Sequence, residues 1–126
     1  MATSIPKELE LIIGSTKPFQ VKLFDEQDGA EDLSAADKAT FSIRDGLDET
    51  TDVLLFDTGG VAADLSIDEP NSQLVATPVA GTWTGVEAGE YIGQAAVRFG
   101  DADSWQKTDL ITVLIRASIA PTVEET

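Results

Sequence analysis

The stretch EAGEYIGQAAVRF, residues 87–99, decides how the rest of the sequence is interpreted. Its opening is typical of a turn, because Gly89 can adopt a backbone conformation with positive φ that a residue with a Cβ resists. From Tyr91 onwards the residues are typical of a strand. A second strand-like run, from Trp105 to Ala117, follows after a short polar turn. Two long neighbouring strands indicate a protein built from β-sheets.

The spacing of Glu87, Gly89 and Tyr91 resembles the acidic-x-Gly-x-Tyr pattern of the tyrosine corner in immunoglobulin-like sandwiches. In those domains the tyrosine ring enters the core and its hydroxyl bonds back to the backbone. The resemblance implies that Gly89 and Tyr91 are structural anchors. The alternative interpretation is that Tyr91 is an ordinary strand aromatic. Gly93 stands where such domains usually have a cysteine, so no disulfide can form there.

Composition limits the chemistry that the chain can perform. Its 126 residues suit one domain with its own core. It has no cysteine and no histidine, which excludes disulfides, thiol nucleophiles, imidazole bases and the usual zinc ligands. The formal net charge of −15 repels phosphate backbones and anionic lipids, so we predict neither nucleic acid nor membrane as a partner. No apolar run approaches the ~20 residues of a membrane span.

Alternating apolar residues and frequent turn signals predict seven or eight short strands. The predicted strands cover residues 9–13, 19–25, 39–45, 53–56, 73–77, 91–99 and 105–117, with 61–67 ambiguous. Phe41 and Ile43 are expected to point inward, and the run from Val53 to Phe56 to be buried on both faces. The predicted fold class is an all-β, antiparallel, immunoglobulin-like β-sandwich. Residues 1–8 form an arm, 9–118 the sandwich and 119–126 an acidic tail.

The two tryptophans receive different interpretations. Trp105, at the start of the last predicted strand, is expected to be a core residue or a hairpin cap, and so a third structural anchor beside Gly89 and Tyr91. Trp83 lies in a loop-like segment and is a candidate contact for a partner. The last strand has apolar residues on both parities, so we expect both its faces to be covered. One cover is the second sheet, and the other is a neighbouring protein or a loop.

Charged residues suggest no catalytic group, metal site or cofactor. Acidic clusters at residues 25–28, 45–52 and 101–103 raise a calcium hypothesis, since calcium prefers several oxygens from a tight loop. None has the spacing of a calcium loop, which favours solvated turns. Paired carboxylates at strand ends, with no aromatic-lined cleft evident, do not indicate an enzyme. Arg44, Arg98 and Arg116 are either internal salt-bridge partners or interface anchors.

Several segments together resemble small β-sandwich modules of tailed-bacteriophage virions, particularly N-terminal domains of baseplate upper proteins and related tail proteins. The resemblance rests on residues 13–19 (IGSTKPF), 32–34 (DLS), 39–45 (ATFSIRD), 89–93 (GEYIG) and 111–115 (ITVLI). The family's opening usually reads Gly-Asp-Thr, from which Ser15 departs. The resemblance implies a non-enzymatic virion protein, assembled in the host cytoplasm. It would dock on tail, baseplate or capsid proteins as an adaptor or decoration module, in a homo- or hetero-oligomeric assembly.

The candidate partner contacts are Ile5 and Pro6 in the N-terminal arm, Trp83, Arg116, and Ile119 at the start of the tail. For the arm and the tail, the alternative is that they are frayed ends. A carbohydrate-binding or adhesion module, using Trp83 and the loops around Gly46 and Gly81, is the second functional hypothesis. A calcium-stabilised extracellular sandwich is the third.

Overall fold

The computed structural model describes residues 8–24, 29, 32–34, 36–46, 52–59, 64–100, 105–108 and 110–117. These residues form strands and two short 3-10 helices, Glu69–Asn71 and Ala80–Trp83. In chain order the strands are β1 (Glu8–Ile12), β2 (Phe19–Lys22), β3 (Ala36–Arg44), β4 (Leu54–Asp57), β5 (Leu65–Asp68), β6 (Gln73–Ala76), β7 (Gly89–Phe99), β8 (Trp105–Lys107) and β9 (Ile111–Arg116).

The larger sheet has six strands and is built around β7, its longest member. The order is β1-β9-β7-β3-β4, and β8 pairs with the second half of β7, beyond the stretch that β9 covers. Tyr91 lies opposite Val113 on one side of β7, and Ala95 lies opposite Phe41 on the other. The quoted stretch is therefore the centre of the larger sheet.

The smaller sheet has three antiparallel strands in the order β2-β6-β5. Val21, Leu74 and Ile67 are aligned across it. The ring of Phe19 from β2 packs edge-on against Phe41 and Phe56 of the larger sheet, with ring centroids 6.2 and 5.4 Å apart. The two sheets therefore face each other across a shared apolar core, which confirms the all-β, sandwich-like fold.

Burial alternates along β7 as the sequence predicts, because successive side chains of a strand point to opposite faces. Tyr91, Ala95 and Val97 are buried, whereas the alternate residues from Ile92 to Arg98 are half-buried and Glu90 is exposed. Gly93 is the next inward-facing residue of β7 after Tyr91, and neighbouring side chains leave little room for a side chain there. A Cβ added there would lie 2.8 Å from Cγ2 of Val113, so a glycine lets β7 pack closely against its neighbours.

Other inward predictions are confirmed as well. Phe41 and Ile43 of β3 are fully buried. Val21 and Leu23 are buried while Gln20 and Lys22 are exposed, as their alternation indicates. These residues share one property, which is that a single apolar parity defines the face turned towards the core.

Three predictions about strands are wrong. The six-stranded sheet is not wholly antiparallel, because β1 runs parallel to β9. The run from Trp105 to Ala117 is two strands rather than one. It breaks at buried Thr108, whose hydroxyl accepts a hydrogen bond from the Ala95 amide at 3.1 Å. The strand β4 is an edge strand of the larger sheet and has only one buried face, so Leu55 is exposed between two buried neighbours instead of being covered on both sides.

Two smaller corrections concern the ends of elements. Gly89 begins β7 and is not among the residues with positive φ, which include Gly14, Gly85 and Gly100. A Cβ at Gly89 would lie 3.7 Å from the Tyr91 ring, which is an ordinary contact distance, so its role as an anchor stays a prediction. Glu8, predicted to end the arm, already belongs to β1. The rest of the arm and the tail from residue 118 lie outside the described residues.

Candidate docking surfaces

Tyr91 makes the hydrogen bond that the tyrosine-corner interpretation predicts. Its hydroxyl donates to the backbone carbonyl of Glu87 at 2.6 Å, and only 9% of the residue is exposed. Burial raises the pKa of the Tyr91 hydroxyl, and the negative charges of Asp45 and Glu87 add to that rise. The residue closes the turn before β7 and is structural. The wider immunoglobulin-like assignment stays a prediction.

The structure contradicts the expectation for Trp83 and the core alternative for Trp105, and the hairpin-cap alternative for Trp105 stays a prediction. Trp83 ends a 3-10 helix with 6% of its surface exposed, and its indole N–H donates to the Ser15 carbonyl at 2.8 Å. It is a core residue that holds the connection between β1 and β2, not a free loop contact. Trp105 is 40% exposed at the start of β8, opposite Arg98, and is not a core anchor.

The solvent-facing side of the six-stranded sheet, called here the outer face, carries the large apolar side chains that the core does not use. Ile12, Leu55 and Leu110 each neighbour a buried residue in sequence, and Trp105 is paired with Arg98, the neighbour of buried Val97. These four side chains have exposed fractions between 40% and 49%. They are four of the five exposed large apolar residues in the described part of the chain, and the fifth is Val79.

An open groove of about 350 Å³ crosses the middle of the outer face. Small and polar residues of β3 and β7 form its base, including Thr40, Ser42 and Gln94, and Leu110 stands at its rim. Its charged lining residues among those described are Arg44 and Lys107. The sequence signal for this surface was the apolar content of both parities in residues 105–117, which predicted a second cover beyond the partner sheet.

Each arginine has a carboxylate partner within the chain, which answers a question that the sequence left open. Arg44 contacts Asp52 at 2.7 Å, and Arg116, a predicted partner contact, contacts Glu10 of β1 at 2.6 Å. Arg98 binds Asp37 through two hydrogen bonds of 2.9 and 2.7 Å. The hydrogen bond from the Arg98 guanidinium lowers the pKa of the Asp37 carboxyl. Arg116 is nevertheless well exposed on the outer face.

A second depression, called here the side cleft, lies where the edges of the two sheets meet. It has a volume of about 320 Å³. Residues of β1, of β2 and of the connection between them line it, and Trp83 and Pro78 contribute from the other side. Leu11 and Phe19 give its lining an apolar part, and the polar part includes Glu10, Lys17 and Gln20. The sequence contained no signal for this cleft, because it depends on how the two edges are placed.

Several predicted sites fall outside the described residues or gain no geometric support. Ile5, Pro6 and Ile119 lie outside, as do the acidic clusters at 25–28 and 101–103. In the described part of the chain, no group of three or more acidic side chains is arranged to hold a metal ion. Over the same residues, no helix combines the length and hydrophobicity that crossing a membrane requires.

Comparison with known proteins shows the fold alone. No protein-family profile matches the chain, and no curated protein matches it in sequence. Among solved structures, it is similar to part of the endo-β-1,4-mannanase from Thermotoga petrophila, with a TM-score of 0.50 and 14% sequence identity. The match covers 94% of this chain but 20% of that one, so the chain spans about a fifth of the mannanase's length.

Proposed function

We propose that this chain is a non-enzymatic structural protein of a tailed-bacteriophage virion. It docks through its outer face onto tail, baseplate or capsid proteins, as an adaptor or decoration module in a homo- or hetero-oligomeric assembly. The phage assignment rests on the sequence resemblance described above. The docking role rests on one structural observation, the uncovered apolar side chains of the outer face.

Those side chains are typical of a surface that a partner covers. Isolated exposed apolar residues are common, but here four of five large ones occupy one side of one sheet. Arg98 and Arg116 stand among them, each held by a carboxylate on a neighbouring strand. An apolar centre with fixed arginines around it is the composition that protein interfaces favour.

The charge of the chain narrows the class of partner. A net charge of −15 repels nucleic acid and anionic lipid, whereas it leaves a protein surface with basic residues as a favourable partner. Such a charge also keeps the free module soluble before assembly. Both properties suit a component that is made separately and then added to a particle.

Quantitative mass spectrometry of purified particles tests the proposal. The chain should be present in particles from a lysate that carries its gene. A copy number near that of the major capsid protein would assign it to capsid decoration, and a far lower number to the tail or baseplate. Absence from particles would overturn the virion assignment.

Surface variants connect incorporation to the outer face. Leu55→Lys combined with Leu110→Lys should remove the chain from particles, because two charges would be buried in the interface. Val79→Lys is the matched control, since Val79 is also exposed but lies off the outer face. Equal incorporation of both variants would contradict docking through this surface.

A carbohydrate-binding or adhesion module is the second candidate, and exposed Trp105 is the observation that favours it. Tryptophan rings present a flat apolar surface on which a sugar ring can stack, and Trp105 lies on the same face as the polar groove. The similar structure is an endo-β-1,4-mannanase, so soluble mannan is a suitable first ligand to test. Binding that is lost in Trp105→Ala but retained in Trp83→Phe would support this candidate.

A further inference from the structure

We propose that the free edge of β1, together with the side cleft, binds one extended segment of a partner protein as an additional strand of the six-stranded sheet. The segment alternates apolar residues with lysine or arginine. This inference goes beyond the proposed function, because it concerns the sheet edge and the side cleft rather than the outer-face groove, and it holds for any partner with that pattern.

The backbone of β1 has one paired side and one open side. The amide of Ile13 donates to the Arg116 carbonyl of β9 at 2.9 Å, which sets the direction of the backbone groups. These directions alternate from residue to residue along a strand. The backbone N–H and C=O of Leu11 therefore also point towards β9, whereas those of Glu8 and Glu10 point away from it. In the described part of the chain, β1 pairs with β9 alone. Among the described residues, no strand therefore lies opposite the Glu10 amide and carbonyl, which can pair with a further strand.

The side cleft provides an apolar surface beside that edge. Leu11 of β1 and Phe19 of β2 both line it, and the Trp83 indole is held in place by its hydrogen bond to Ser15. In the part of the chain that the structure describes, β2 also pairs on one side only. Leu23 donates to the Ser72 carbonyl, so the backbone groups of Gln20 face away from β6. Inward side chains of an added strand would enter this cleft.

Charge selects which kind of segment fits. On its solvent side β1 presents Glu8 and Glu10, which alternate with the inward leucines. The Glu10 carboxylate already forms an ion pair with Arg116 of the neighbouring strand β9. Glu8 has no cationic partner among the described residues. Directly opposite side chains of adjacent strands lie about 5 Å apart, so lysine or arginine opposite these carboxylates is favoured.

The same charge disfavours another copy of this chain as the occupant. Two molecules that each carry −15 repel one another, and like charges directly opposite in a sheet are destabilising. A basic and apolar segment of a different protein satisfies the backbone, the cleft and the carboxylates together. The added strand would continue the larger sheet beyond its β1 edge.

Hydrogen exchange of the Glu10 amide tests the proposal without any substitution. The probe is a capped synthetic peptide that alternates lysine and valine, and the control peptide has the same composition in two blocks. In the free protein the Glu10 amide should exchange quickly, and the alternating peptide should slow it at least about tenfold, because the amide gains a hydrogen bond. Unchanged exchange at saturating peptide, or equal slowing by the block peptide, would overturn the proposal.

Variants then separate the backbone contribution from the charge. Glu10→Pro removes the outward amide but leaves the β9 ladder intact, since proline is tolerated at a sheet edge. Glu10→Ala keeps the amide and loses the carboxylate. We expect Glu10→Ala to weaken peptide binding about threefold and Glu10→Pro by more than about tenfold. Equal affinities of these two variants would show that the backbone edge is not used.

Two further controls make the outcome specific to β1. Lys22→Pro removes an outward amide from the edge of β2 and should leave peptide affinity unchanged. A large loss of affinity in this variant would show that the peptide adds to β2 instead of β1, which would overturn the proposal. The outer-face variant Leu55→Lys with Leu110→Lys should also bind the peptide normally. Failure of incorporation into particles and failure of strand addition are therefore seen in separate measurements.

Discussion

Replacing Tyr91 with phenylalanine should measure what the corner hydrogen bond contributes to stability. The substitution removes one hydroxyl that donates to the Glu87 carbonyl at 2.6 Å and keeps the buried ring. A net hydrogen bond contributes about 0.5–1.5 kcal/mol, and an acceptor left without a donor costs more when it is buried. Glu87 is exposed, so water can replace the lost donor. We therefore expect a loss of about 1 kcal/mol.

Urea unfolding followed by tryptophan fluorescence is the assay, because buried Trp83 should report the loss of the core. A loss of about 1 kcal/mol corresponds to a fall in the urea midpoint of roughly 0.5 M for a domain of this size. Glu87→Ala is the matched control. The acceptor is the backbone carbonyl, so that substitution should leave the midpoint nearly unchanged. Equal effects of the two substitutions, or no effect of Tyr91→Phe, would refute the reasoning.

The same tyrosine predicts how stability changes in alkali. Burial raises the pKa of Tyr91 in the folded chain above its ordinary value of 10.0. The unfolded chain therefore loses the phenolic proton first, and the folded state loses stability as the pH rises from about 10 through the folded pKa. Tyr91→Phe should remove this part of the alkaline loss. Tyr91 is the only tyrosine, so tyrosinate absorbance follows its ionisation directly.

Three further predictions test the packing and the ion pairs. Gly93→Ala should destabilise the fold by about 1–3 kcal/mol in urea unfolding, because of the close approach described above. Gly89→Ala, whose Cβ meets ordinary contact distances, is its control, and equal losses would contradict the packing argument. Acrylamide, a neutral quencher that the net charge of −15 does not repel, should quench the fluorescence of Trp105 more than that of Trp83, as measured in single-tryptophan variants. Equal quenching would contradict their different burial. The lowered pKa of Asp37 means that its ion pair stabilises the fold above the ordinary value of 3.8 and that this contribution is lost as the pH falls. The difference in urea midpoint between the original chain and Asp37→Asn should therefore shrink as the pH falls below about 3.8 through the lowered pKa of folded Asp37, and a constant difference would count against it.

Local patterns predicted the strands and the inward residues because these features depend on neighbours along the chain. The alternation in residues 39–45 places Phe41 and Ile43 in the core, and the spacing of Glu87 and Tyr91 predicted the backward hydrogen bond. In both cases the deciding geometry spans only a few residues. Charge and composition could likewise be read directly, and they argued against nucleic acid and membrane as partners.

The candidate surfaces were decided only by tertiary structure. Trp83 looked like a loop contact, yet it is buried because its indole reaches Ser15, 68 positions earlier in the chain. Leu55 looked doubly buried, yet it is exposed because its side chain points to the outer face, which no second layer of the described residues covers. Arg116 finds Glu10 across 106 positions. Burial on the second face of a strand and the choice of an ion-pair partner depend on which strands become neighbours. That order is set by the free energy of packing the whole chain, whereas alternation along one segment records only that a strand has an inward face.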